Sequence, residues 1–135
     1  MPAHSPLVLI VDDDDDSREM YTEALSSMGF EPVSAPNAED GFARARDIQP
    51  DVIVADVVLP GVSGLELTKL LRDDERTKDV GIIVLTAQAF GSAEQQASDA
   101  GCDRFLLKPC LPDALALEIR DVLTSRTHAR SSTVA

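Results

Sequence analysis

Three short aliphatic runs, Leu7–Val11, Val52–Ala55 and Val80–Leu85, are apolar at successive rather than alternate positions. A strand with one wet face alternates, so runs of this kind suit parallel strands covered by helices on both sides. Two weaker candidates, Glu31–Ala35 and Asp103–Leu107, bring the number of strands to five.

The segments between them carry helical spacing. Met20, Tyr21, Ala24, Leu25 and Met28 form an apolar stripe that Gly29 ends as a cap. Asn37, three residues before Asp40, resembles a capping box, with Ala38, Phe42, Ala45 and Ile48 as the buried face and Pro50 as the limit. A third helix is predicted from about Ser63 to Asp73 with Leu67, Leu70 and Leu71 inward. A fourth runs from Ser92 to Ala100, ended by Gly101, and a fifth starts near Leu111 and buries Leu115, Ile119 and Val122. Five strands alternating with five helices predict an α/β domain, a doubly wound five-stranded parallel sheet, because right-handed crossovers are the common way to join parallel strands.

At 135 residues the chain makes one domain, and 44% hydrophobic residues supply its core. Residues 7–124 form that domain and residues 1–6 an N-terminal extension. Residues 125–135 are polar and aperiodic, which reads as a flexible C-terminal tail. No internal repeat or linker to an output domain stands out. Twenty-four Asp and Glu against twelve Lys and Arg give a formal charge of −12, which repels a phosphate backbone and argues against direct nucleic-acid binding. Cys102 and Cys110 are too few for a disulfide scaffold and have no clustered His or Cys for zinc, so they read as small apolar residues in a reducing compartment. No basic residue precedes the first apolar run, and no stretch approaches the ~20 apolar residues that span a bilayer. The expected location is the cytoplasm, away from membranes.

In open α/β sheets ligands bind beyond the carboxyl ends of the strands. Strand 1 runs into Asp12–Asp16, strand 3 into Asp56, strand 4 into Thr86 and strand 5 into Lys108 and Pro109. Carboxylates, a hydroxyl and an ammonium thus meet at one edge. Carboxylates brought within a few ångströms repel and need a cation to stay ionised at neutral pH. Magnesium suits two or three carboxylate oxygens, a backbone carbonyl and waters. Asp12, Asp13 and Asp56 are then balanced by the metal and Lys108, leaving a near-neutral pocket for a phosphoryl dianion.

The motifs VDDD after the first strand, DVVLPGVSG around Asp56, TAQ after the fourth strand and KP after the fifth resemble the receiver domain of bacterial response regulators, over roughly Leu7–Leu123. The resemblance implies a flavodoxin-like sheet of order 2-1-3-4-5 and a phosphoacceptor at Asp56, supplied by a histidine kinase or histidine phosphotransfer protein. It implies Mg2+ held by Asp12, Asp13, Asp56 and the backbone carbonyl of Val58, and Lys108 and Thr86 on the phosphoryl oxygens. Thr86 and Phe105 match the family's switch pair, with Phe in place of the frequent Tyr, and Pro109 a position where a cis peptide is common. The expected role is a stand-alone receiver, monomeric or dimerising on phosphorylation, that signals to a downstream protein target. It catalyses only its own phosphorylation and dephosphorylation. Val58 and Gln88 flank the pocket two residues after Asp56 and Thr86, and an apolar Val58 predicts slow self-dephosphorylation.

The same residues admit other readings. Asp14, Asp15 and Asp16 read as the solvated start of helix 1, and Gly61 and Gly64 as turn-makers rather than phosphate binders. Asp12, Asp14, Asp16 and Glu23 match EF-hand spacing, but Ser17 replaces the required Gly and a strand precedes the run. Asp12 and Asp14 also form the D-x-D of a haloacid-dehalogenase-like phosphatase, although the chain leaves little room for a cap domain. A binding module with the fold but not the chemistry is the third alternative.

Overall fold

The computed structural model describes residues 5–87 and 92–134, with side chains to residue 126. Strands and helices alternate: β1 (Leu7–Val11), α1 (Asp15–Ser27), β2 (Glu31–Ala35), α2 (Ala38–Ile48), β3 (Val52–Asp56), α3 (Gly64–Asp73), β4 (Gly81–Thr86), α4 (Ala93–Ala100), β5 (Arg104–Leu107) and α5 (Pro112–Val134). Every neighbouring pair of strands is parallel, in the order β2-β1-β3-β4-β5. The expected doubly wound sheet is therefore present.

The strand period of two sorts the core into two layers. Leu9, Val11, Ile53, Ala55, Ile82 and Val84 face α2, α3 and α4 through Ala38, Ala45, Leu67, Leu71 and Ala97. Val8, Ile10, Val52, Val54, Ile83 and Leu85 face α1 and α5 through Tyr21, Leu25, Leu115, Ile119 and Val122. The three aliphatic runs are the central strands, buried throughout apart from half-buried Leu7, whereas β2 and β5 are the sheet edges and only partly covered.

Local chemistry sets the helix starts. Asp14 accepts from the Ser17 amide and Asn37 from the Asp40 amide, while Ser63 and Glu66 form a reciprocal capping box. Gly101 ends α4 at φ 109°, a left-handed conformation that L side chains rarely adopt.

Two expectations are corrected. Met20 and Leu70 are exposed, not inward, because Tyr21 and Leu71, about 100° further round each helix, point to the sheet and leave their neighbours on the solvent side. Beyond Thr124, α5 continues to Val134. Arg126 anchors that extension, donating to both carboxylate oxygens of Asp103 and to the Asp79 carbonyl. The signal was hidden because Val122 already lies against Gly81, the first residue of β4, so helix beyond it no longer faces the sheet.

Candidate functional site

The site forms where strand order reverses, at the carboxyl ends of β1 and β3. Pairing of Val11 with Ala55 puts the next residues, Asp12 and Asp56, side by side. Pairing of Thr86 with Leu107, and the bond from the Lys108 amide to the Thr86 carbonyl, brings Lys108 to the same edge. Carboxylate oxygens of Asp12, Asp13 and Asp56 all lie within 4.8 Å of one another. Asp12 and Asp56 are buried and Asp13 is exposed, so the cluster opens to solvent on one side.

Lys108 supplies the balancing charge. Its Nζ donates to Asp56 Oδ2 at 2.9 Å, lies 2.8 Å from Oδ1 and 3.9 Å from Asp12 Oδ2. The Oδ1 contact is an ion pair out of line for a hydrogen bond, so this buried atom has no hydrogen-bond partner among the described residues. Burial above all, with the Asp12 charge adding and Lys108 opposing, pushes the Asp56 carboxyl up to about 6. Burial works to lower the Lys108 pKa, but Asp56, Asp12 and Asp13 outweigh it and the ammonium is held above its ordinary value.

Backbone geometry fixes these groups. The Asp14 amide donates to Asp12 Oδ1 and the Asp12 amide to the Ala35 carbonyl. Gly64 starts α3 so close to the end of β3 that a Cβ there would stand 2.1 Å from the Asp56 carbonyl oxygen. Thr86 and Phe105 line one cleft of ≈ 210 Å³ with Val57, Leu65 and Ala93. The Lys108–Pro109 peptide is cis.

The sequence profile of the response regulator receiver domain matches residues 8–120. The chain belongs to the response regulator receiver family. It is 40% identical over 116 residues to the phosphate regulon regulator PhoB of Pseudomonas aeruginosa, covering 86% of this chain and 51% of that protein. The chain thus spans about half the length of PhoB. The polar-differentiation response regulator DivK of Brucella anthropi is 33% identical over 102 residues, 76% of this chain and 83% of DivK. Among solved structures, chemotaxis protein CheY4 of Vibrio cholerae superposes with a TM-score of 0.83 at 30% identity, over 87% of this chain and 98% of that one. The CheY-like receiver protein of Methanospirillum hungatei gives 0.86 at 25% identity, over 93% and 98%.

Receiver domains are signalling domains of two-component systems, and the family binds Mg2+ at an acidic pocket. In this receiver the structure brings together Asp12, Asp13, Asp56 and Lys108. Thr86 is buried at the end of β4 beside half-buried Phe105, and the Val58 side chain is 73% exposed in the β3–α3 loop. Gln88 lies outside the described residues. Asp14 caps α1, and Asp15 and Asp16 occupy its first turn, which accounts for the rest of the acidic run without a calcium loop. No helix among the described residues is long and apolar enough to cross a membrane.

Two residues were missed. Arg18 donates through Nη1 to the Asp12 carbonyl at 2.7 Å and through Nη2 to the Asp15 carboxylate. Tyr21 donates its hydroxyl to the Cys110 carbonyl at 2.6 Å. A polar tip within an apolar stripe was the only hint of the second, because buried Tyr hydroxyls find partners that sequence does not name.

Proposed function

We propose that this receiver takes a phosphoryl group onto Asp56 from a phosphohistidine of a histidine kinase or histidine phosphotransfer protein, in a Mg2+-dependent reaction, and signals through altered protein contacts. The observation that carries this is the setting of Asp56: a buried carboxylate with one oxygen lacking a hydrogen-bond partner, between Asp12 and a lysine ammonium. An Asp56 carboxylate oxygen attacks phosphorus, the P–N bond to the donor ring breaks, and its electron pair stays on the imidazole nitrogen. An aspartyl phosphate results.

Asp12, Asp13, Asp56 and the Val58 carbonyl would hold Mg2+. Three carboxylates with a single lysine leave room for a hard divalent cation, and their oxygen donors suit it. When bound, the ion neutralises negative charge on the phosphoryl oxygens. Lys108 transfers from Asp56 to a phosphoryl oxygen, and Thr86 turns its hydroxyl toward another, work of positioning and charge neutralisation. The cleft shared by Thr86 and Phe105 gives the aromatic ring space to turn inward when Thr86 moves. Phe105 has no hydroxyl to fix either rotamer.

The unit that does this spans residues 7–124, in the cytoplasm, as a monomer or a phosphorylation-dependent dimer. It turns over no substrate beyond its own aspartyl phosphate. The test is incubation with Mg2+ and a small acyl phosphate, followed by intact mass and peptide mapping. One added phosphoryl group on Asp56, lost in Asp56→Asn and in EDTA, is the expected result. Label on Asp12 with turnover of phosphate esters would support a phosphatase instead.

A further inference from the structure

We propose that Tyr21 is a positioning residue for Lys108, holding the β5–α5 loop at the depth from which the ammonium reaches the phosphoryl group; this rests on the function proposed above. Tyr21 is the single tyrosine of the chain and only 4% exposed. Its ring packs with Leu25, Leu115 and Ile119 between α1 and α5, and Cys110 lies against the same cluster. Its hydroxyl donates at 2.6 Å to the carbonyl of Cys110, 89 residues away and two residues past Lys108. On the other side, the Lys108 amide is fixed to the Thr86 carbonyl at 2.8 Å. The segment carrying the ammonium is thus pinned at both ends, by β4 before it and by α1 after it.

That pinning matters because Lys108 has to change partner. Its Nζ now sits 2.8 and 2.9 Å from the two Asp56 oxygens. When an Asp56 oxygen attacks an acyl phosphate, a P–O bond forms, the P–O bond to the acyl group breaks, and the electron pair leaves on the carboxylate product. No proton moves. The ammonium follows the charge onto a phosphoryl oxygen, a shift whose reach is set by where the loop backbone stands. Losing one hydroxyl leaves the packing but frees the loop at Cys110.

The experiment compares the parent, Tyr21→Phe, Lys108→Ala and the double variant, with Thr77→Val as a control. Thr77 donates its hydroxyl to the Leu71 carbonyl at 2.7 Å, between α3 and β4, away from this loop. Read-outs are the rate of phosphorylation by a small acyl phosphate, beryllofluoride affinity at fixed Mg2+, and Mg2+ affinity alone. Tyr21→Phe should lower rate and beryllofluoride affinity about fivefold or more. Mg2+ affinity should stay within about twofold, and the effect should vanish in the Lys108→Ala background. Thr77→Val should lose stability yet keep both read-outs. The inference is overturned if Tyr21→Phe matches the parent, loses no more than Thr77→Val, or weakens Lys108→Ala as much as it weakens the parent. A parent that takes up no phosphoryl group on Asp56 sinks the underlying reading itself.

Discussion

The Lys108 ammonium lies 2.8 and 2.9 Å from the two oxygens of Asp56 and 3.9 Å from Asp12. One cation, itself partly exposed, serves two buried anions at the edge of the sheet.

Lys108→Ala should therefore cost stability in EDTA, by about 1–3 kcal/mol after allowing for partial solvent screening. Mg2+ should bind the variant as tightly as the parent or tighter, because a competing positive charge is gone. Thermal melts across a Mg2+ titration check both; a loss of metal affinity of about tenfold or more would show that the lysine helps to build the metal site rather than competing for it.

Asp56→Asn removes the buried charge. The Asp56 carboxyl is raised to about 6, so the folded state disfavours its ionised form. Its favourable contribution is complete below the ordinary carboxylate value of 3.8 and is lost as pH rises through about 6. Asp56→Asn should accordingly melt higher than the parent at pH ~7.5 in EDTA, by roughly 1–3 kcal/mol less what the stranded Lys108 takes back. The gap should close by pH ~4, and equal melting at both pH values would contradict the burial argument.

Gly64→Ala should be far more damaging than Gly61→Ala. At Gly64 the new methyl meets the Asp56 carbonyl oxygen at 2.1 Å, backbone that cannot swing aside. At Gly61 the space is open and only the positive φ of 77° opposes a side chain. Denaturant unfolding should show about 3 kcal/mol or more for the first and about 1–2 for the second.

Burial first, then the nearby Cys110, Asp12 and Asp56, push the Tyr21 phenol up to about 12. As a raised acid it stabilises the fold fully below pH ~10 and loses that contribution as pH rises through about 12. Absorbance at alkaline pH, clean because no other tyrosine or tryptophan is present, should titrate late in the folded protein. In Tyr21→Phe the alkaline loss of stability should flatten.

If the phosphoryl chemistry proposed for Asp56 holds, Val58→Asn should shorten the lifetime of the aspartyl phosphate. The exposed Val58 side chain offers an attacking water no hydrogen bond, whereas an amide does. Following loss of the phosphoryl mass after removing the donor decides it, and an equal or faster loss in the parent refutes the idea.

The readable parts of this chain were those that depend on local pattern. Val52–Ala55 and Val80–Leu85 announced buried strands because both faces are covered, and Asp12, Asp56, Thr86 and Lys108 were legible because each ends an apolar run or directly follows it. Paired side chains such as Met20 with Tyr21, or Leu70 with Leu71, were misassigned since hydrophobicity alone does not tell which of two neighbours faces in. Contacts spanning many residues left no trace: Tyr21 to Cys110 and Arg126 to Asp103 each join a side chain to a partner that only the folded topology brings near.

Asp103 takes Arg72 of α3 on one side and Arg126 of α5 on the other, while its Oδ2 also accepts the Ile82 amide of β4. Two helices on opposite faces of the sheet are thereby bolted to a single joint at its amino end. A change begun at the carboxyl end of the strands therefore meets an amino end already tied to both helical layers through one carboxylate.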